Sequence, residues 1–152
     1  MLSATIVLVG TERDRTASRQ VAGEIGDGVV DLTGRLSLGA TLGLAHGCTL
    51  FVGNDSGPRH LAAATGTPTV GIFWVGNAIT FGPLVGAANR ASISFTVNCP
   101  VCGVEQSRSR CEHDASLVDS VAPDAVLREC LEAVRHDERP GVETAAGLGR
   151  RL

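Results

Sequence analysis

The sequence predicts an α/β fold, a Rossmann-like parallel β-sheet covered by helices on both faces. Short β-branched runs alternate four times with segments of helical character over residues 5–73, and glycines stand where these elements should end. Successive parallel strands need a crossover connection, so alternation with short loops is typical of a parallel sheet. The length of 152 residues and the 43% hydrophobic content fit one domain with a continuous core.

The first two strands of this pattern lie before residue 35. The β-branched run at residues 5–9 ends at Gly10 and predicts a strand that is buried on both faces of the sheet. Residues 12–22 form a polar stretch that we expect to be helical, and residues 29–31 predict the second strand. This first part therefore predicts one strand-helix-strand unit.

The pattern continues through three further strands and three helices. Ser37 can cap a helix that reaches about His46, and Pro123 marks the start of a helix with one apolar side. Between them we expect strands at 49–52, 69–73 and 91–97, a helix at 58–65 that ends at Gly66, a glycine-rich loop at 74–91 and the final helix at 124–135. We expect one domain over residues 1–136, followed by a flexible tail at 137–152.

Composition and charge exclude several classes of protein. The net charge is −3 and all 13 basic residues are arginine, with no basic block that would bind nucleic acid. No apolar run approaches the roughly 20 residues that a membrane span needs. We therefore expect a cytoplasmic protein without a membrane span, and the arginine-only composition indicates a GC-rich bacterial genome.

The segment 53–63 is the most informative part of the chain. The apolar run at 50–52 stops at Gly53, a polar turn Asp55-Ser56-Gly57 follows, and Pro58 opens a helix of small residues. The first N–H groups of a helix have no intrahelical partners and lie at the positive end of its dipole. This turn therefore predicts a site for a phosphate or diphosphate.

Motifs elsewhere in the chain fit around this turn in a recognisable order. They are D-L-T-G-R-L-S-L at 31–38, G-N-D-S-G at 53–57 with His60, Ala62 and Ala64 after it, G-T-P-T-V at 66–70, F-G-P at 81–83 and C-P-V-C at 99–102. In this order and spacing, the chain resembles glycosyltransferase family 9, the heptosyltransferases, from about residue 6 to about residue 131. The resemblance implies a GT-B architecture, of which this chain corresponds to the C-terminal, donor-binding half.

The resemblance also implies roles for individual residues. Asp55, Ser56 and Gly57 would lie against the diphosphate and sugar of the donor, with His60 one helical turn further along. Leu36 would line the nucleobase, and Asp14, or alternatively Glu12, would accept hydrogen bonds from the ribose hydroxyls. Simpler interpretations stay open: Asp55 as a helix cap, His60 as a core histidine, Asp14 as a surface charge and Leu36 as packing.

Two departures from the family pattern bear on activity. The acceptor domain and the first strand-turn-helix unit of the donor domain would precede Met1, so we expect an exposed strand edge and a tendency to dimerise. Diphosphate departure needs positive charge, and with no lysine present Arg59 or Arg35 would have to supply it. We expect Arg59 to be a solvated helix residue in the absence of that role.

A cysteine cluster follows the last predicted strand. Cys99, Cys102, Cys111 and His113 together offer three thiolates and an imidazole, a donor set compatible with structural Zn²⁺. Free or redox-active thiols and a disulfide remain alternatives. Cys48 and Cys130 are expected to be small buried hydrophobes.

Two functions follow from these observations. The first is the donor domain of a heptosyltransferase-like glycosyltransferase, which binds a nucleoside-diphosphate sugar resembling ADP-heptose and needs no cofactor for catalysis. A separate acceptor domain or a second copy would complete its cleft, and no catalytic residue is assigned in this chain. The second is a truncated, non-catalytic nucleotide-binding or interaction module, in one version stabilised by zinc.

Overall fold

The computed structural model describes residues 4–83, 86–113, 115–137 and 139, and the chain divides into two compact units, Met1–Leu44 and Ala45–Leu152. The predicted single domain at 1–136 stays a prediction. Most of the predicted tail at 137–152 lies outside the described residues, and only Asp137 and Arg139 of it are described.

The first unit contains a pair of parallel strands and a helix. Strand β1 (Ile6–Leu8) pairs with β2 (Val29–Asp31), and a 3-10 turn at Glu12–Asp14 leads into helix α1 (Arg15–Ile25). The prediction that the first strand is buried on both faces is wrong, since Ile6 is 41% exposed. Among the described residues β1 pairs with β2 alone, so the β-branched run that forms it is only half covered.

Helix α2 (Leu38–Gly47) begins where the sequence indicates. The Ser37 hydroxyl accepts the N–H of Ala40 at 3.2 Å, which confirms Ser37 as the cap.

The second unit is built on three parallel strands in the order β3 (Phe51–Asn54), β4 (Thr69–Trp74), β5 (Asn89–Ser94). Helix α3 (Gly57–Ala64) connects β3 to β4. The central strand β4 contributes Val70 and Phe73, both fully buried, to the core. A central strand of a parallel sheet is covered on both faces, and the sequence of β4 after Thr69 is accordingly apolar.

The segment predicted as a glycine-rich loop at 74–91 contains a short helix, α4 (Val75–Phe81). Glycine and asparagine near its start favoured a turn in the sequence, but the C-terminal end of β4 leads directly into a helix that ends at Gly82. The loop prediction is therefore wrong for these seven residues.

Helix α5 (Pro123–Arg135) packs on β4 and β5 as predicted, and Arg90 of β5 forms an ion pair with Glu129. On this helix Ala133 is fully buried, whereas Leu127 is 57% exposed.

The described elements form parallel strands connected by helices, which confirms the α/β class. Among the described residues, no helix is long and apolar enough to cross a bilayer.

Candidate functional site

The carboxylate of Asp55 lies directly after β3 and is held by three side chains. Its Oδ1 is 3.0 Å from His60 Nε2 and 3.6 Å from an Arg59 guanidinium nitrogen, and its Oδ2 accepts the amide N–H of Asn77 at 3.1 Å. Only 10% of the side chain is exposed. The negative charge is therefore fixed in position by partners from both α3 and α4.

The N-terminus of α3 lies next to this carboxylate. Ser56 occupies the cap position in an extended conformation (φ −152°, ψ 162°), and its side chain makes no capping hydrogen bond. Asp55 is thus not the cap, because both of its oxygens are directed to other side chains. In the first turn of a helix the backbone N–H groups have no intrahelical partners, which applies here to Gly57 and Arg59. Pro58, between them, has no N–H group. These donors are of the kind that binds a phosphate oxygen.

Arg59 is buried, with 2% of its surface exposed, so the expectation of a solvated residue is wrong. Its guanidinium carbon lies 4.8 Å from the centre of the Phe73 ring, within the range of a cation–π contact. Gly71 makes this placement possible, because a Cβ there would lie 2.9 Å from Arg59 Cδ. One guanidinium nitrogen also donates to the Phe81 carbonyl at 3.4 Å. The Arg59 charge therefore neutralises the buried Asp55 carboxylate.

His60 stands at the surface of the same group. Its side chain is 49% exposed, which argues against the alternative of a core histidine. The two ring nitrogens lie 3.0 and 3.1 Å from an Arg59 guanidinium nitrogen. The exposed part of the ring borders a cavity of about 400 Å³ whose other lining residues include Phe81, Gly82 and Pro83 of the F-G-P motif.

The two predicted nucleoside-binding residues, Asp14 and Leu36, lie in the first unit. The N–H and hydroxyl of Thr11 both donate to Asp14 Oδ2 at 2.7 Å. These bonds lower the pKa of Asp14 below its usual range, and the bond from the hydroxyl has the larger effect. The alternative carboxylate, Glu12, forms two hydrogen bonds with Arg15. Leu36 is half-buried. The structure thus gives both carboxylates intramolecular partners, and their predicted contacts with ribose stay a prediction.

The structure brings the four predicted metal ligands together. One ligand atom from each of Cys99, Cys102, Cys111 and His113 lies within 4.8 Å of the others, so the cluster could hold a metal ion. Hydrogen bonds from the backbone N–H groups of Cys102 and Val101 lower the pKa of Cys99 to about 7.

The remaining two cysteines, Cys48 and Cys130, lie outside this cluster. Both are partly rather than fully buried, and burial raises the pKa of each thiol.

Comparison with known proteins connects these features. Residues 3–113 match the sequence profile of glycosyltransferase family 9 (heptosyltransferase). The chain belongs to this family. Its fold is similar to that of the E. coli ADP-heptose LPS heptosyltransferase II, with a TM-score of 0.60 at 23% identity. The likeness covers 84% of this chain and 35% of that structure, so the chain spans about a third of the solved relative. A search of curated proteins returned no significant match.

Within this family 9 chain, the second unit gathers Asp55, Ser56, Gly57 and His60 at one strand-to-helix turn, as their sequence proximity implies. Sequence reasoning missed Asn77, which lies in the segment predicted as loop and binds Asp55. It also assigned Arg59 the wrong environment. Gly71 was the sequence signal for the burial of Arg59, because its lack of a side chain leaves space for the arginine. That signal can be interpreted only once β4 is known to pack against α3.

Proposed function

We propose that the chain is the donor-binding part of a heptosyltransferase-like glycosyltransferase and that the turn between β3 and α3 binds the diphosphate of a nucleoside-diphosphate sugar. The main support is that, in a family 9 sequence, the N-terminus of α3 has no capping side chain and lies next to the fixed carboxylate of Asp55. Gly57 and Arg59 offer backbone N–H groups to the phosphates. Asp55 would accept hydrogen bonds from sugar hydroxyls.

The Asp55–Arg59 pair presents no net negative charge to a departing diphosphate. Arg59 balances Asp55, so a phosphate that approaches Gly57 meets a neutralised carboxylate rather than an isolated negative charge. Asp55 and Arg59 hold the half-exposed ring of His60 at the border of the cavity, where the ring would contact the bound donor. Donors that are fixed before the reaction stabilise charge as it develops on the leaving group. We assign no residue of this chain the role of general base on the acceptor hydroxyl.

The wider setting follows from the family and the solved relative. We propose a bacterial, cytoplasmic enzyme that transfers a heptose-like sugar from a nucleoside diphosphate to a glycan of the cell envelope. A separate acceptor domain or a second copy of the chain would complete the cleft. Donor transfer on these residues uses no metal, so a Zn²⁺ ion at the cysteine cluster would be structural.

Calorimetric titration with ADP, GDP and UDP tests the proposal. We expect one of the three to bind saturably, and Gly57→Val to weaken that binding on the order of 100-fold, about 2.7 kcal/mol. A Cβ on Gly57 meets no atom within 4 Å, so this substitution blocks the space for the ligand without a clash inside the protein.

Asp119→Asn, which changes an exposed carboxylate elsewhere, is the matched control and should bind like the parent chain. Equal binding by the parent and the Gly57→Val variant would exclude this turn as the diphosphate site. No binding of any nucleotide would favour the alternative of a non-catalytic module.

A further inference from the structure

The loop between β5 and α5 has little apolar packing to hold it in place. Its described residues form no helix or strand, and their β-pairing is limited to an isolated antiparallel bridge between Asn98 and Glu105. Every residue at 100–105 and 107–110 is exposed, whereas Cys99 is 3% exposed. Loops as long as this one, residues 95–122, are uncommon in compact domains without secondary structure of their own, because ordering them costs conformational entropy. A cross-link within the loop would reduce that cost.

The backbone around Cys99 and Cys102 has the form of a metal-binding turn. The N–H of Gly103 donates to the Cys99 carbonyl at 2.9 Å, and the N–H of Cys99 donates to the Val104 carbonyl at 2.8 Å. Gly103 has a φ of +75°, a conformation that favours glycine. The N–H groups of Val101 and Cys102 are directed at the Cys99 sulfur. Backbone N–H groups directed at a ligand atom are outer-shell support of the kind that metal sites use.

The second pair of ligands lies about ten residues further along the loop. Cys111 and His113 reach the same point as the turn, and the side-chain amide of Gln106 lies 3.2 Å from Cys111 Sγ. The backbone N–H of Gln106 donates to the Val97 carbonyl at 2.8 Å, so Gln106 ties this sulfur to the start of the loop. Hydrogen bonds to a ligand from outside the coordination sphere are a usual support of metal sites.

We propose that Cys99, Cys102, Cys111 and His113 bind one Zn²⁺ ion in a closed tetrahedral site that cross-links residues 99–102 of the loop to residues 111–113. A tetrahedron with Zn–S bonds of about 2.3 Å has ligand atoms about 3.5 to 3.8 Å apart. The four atoms already lie within 4.8 Å of one another, so closure requires shifts of about 1 Å or less. Three thiolates and one imidazole select zinc over magnesium or calcium.

The arrangement makes this ion structural. Four protein ligands fill a tetrahedral zinc site and leave no position for water or substrate. The proposal goes beyond donor binding, since none of the four residues belongs to the turn at Asp55. A disulfide is the competing arrangement, but it would use two of the three thiols and give His113 no part.

Metal analysis of the purified full chain tests the site. We expect one equivalent of zinc per chain, and after exchange with Co²⁺ the intense visible absorption of a tetrahedral cobalt–thiolate centre. Cys111→Ser and His113→Ala should each reduce the bound metal and alter the cobalt spectrum. Cys48→Ser and Cys130→Ser, which change thiols outside the cluster, are the matched controls and should keep the full equivalent.

Reduced parent chain that takes up less than about a tenth of an equivalent of Co²⁺ would overturn the proposal. So would a native chain whose mass is lower by two hydrogens and whose thiol titration lacks two of its five cysteines, because that result indicates a disulfide. Titration of the parent chain with Co²⁺ decides the matter even if a variant does not fold.

Discussion

The turn after β3 and the loop after β5 differ in what holds their polar groups in place. At the turn, Asp55, Arg59, His60 and Asn77 bind one another, and Arg59 packs on Phe73 in the core. In the loop, the sulfur and imidazole groups lie close together, but Cys102 and His113 are exposed and so are most of the residues between them. The contacts of the turn can therefore order it without a ligand, whereas the loop would need the proposed metal cross-link.

The largest effect on stability is expected when the carboxylate of Asp55 is removed from the turn. Asp55→Ala leaves the Arg59 guanidinium buried without its carboxylate, and we expect a loss of about 3 kcal/mol in the free energy of unfolding. Urea unfolding followed by circular dichroism measures it.

The double variant Asp55→Ala/Arg59→Met is the control for this effect. It removes the stranded charge and keeps an apolar side chain against Phe73, so most of the lost stability should return. A double variant as unstable as Asp55→Ala alone would contradict the assignment of the loss to a buried charge.

The packing beneath the turn gives the next largest effect. In Gly71→Ala the new Cβ would overlap the Phe73 ring and lie 2.9 Å from Arg59 Cδ, so we expect a loss of about 1–3 kcal/mol in unfolding free energy. Gly23→Ala, in α1, meets no atom within 4 Å and should instead stabilise by about 0.5–1 kcal/mol. Thermal unfolding of both variants compares them, and equal shifts would show that the packing of Phe73 and Arg59 does not need the space at Gly71.

Removal of metal should separate the two regions directly. We expect a strong chelator to speed amide hydrogen exchange at residues 98–113 by about tenfold or more and to leave residues 55–64 unchanged. Exchange measured by mass spectrometry with and without the chelator resolves the two segments. A uniform change, or none, would remove the distinction between them.

The ion pair between Asp137 and Arg139 resembles the pair at the turn, since a buried carboxylate is again held by an arginine. Its loss in acid is the smallest of the stability effects that we expect. The Arg139 side chain binds Asp137 and, with burial opposing it, lowers the pKa of Asp137. A depressed carboxyl pKa contributes stability above its unfolded value near 3.9, and that stability is lost as the pH falls through the folded value.

Asp137→Asn should therefore destabilise by about 1 kcal/mol at pH 7, with the difference from the parent chain shrinking in acid. Unfolding measured from pH 7 down to acid tests this. A difference that persists unchanged at low pH would mean that the ionised carboxylate is not its source.

The sequence predicted the elements whose boundaries depend on local chemistry. Residues 29–31 form a strand as expected, Ser37 caps α2, Gly66 adopts a positive φ after α3, and Pro123 begins α5. Each of these positions is decided by a cap, a proline or a glycine within a few residues, so local reasoning suffices.

What the sequence could not predict depends on contacts between distant residues. Burial of Arg59 requires the space above Gly71, and the approach of Asn77 to Asp55 requires helix α4. The exposure of Ile6 depends on how many strands flank β1, which a run of β-branched residues does not report. The thiol cluster was visible as a donor set, but its convergence within 4.8 Å is a property of the fold.

The most direct test of the account is an amide chemical-shift map of the isotope-labelled chain titrated with ADP, GDP and UDP. The account predicts that the nucleotide that binds shifts the amides of Gly57 and Arg59 most, with His60 beside them, and leaves residues 98–113 unmoved. Saturable binding whose largest shifts lie elsewhere in the chain, with Gly57 and Arg59 unchanged, would contradict it.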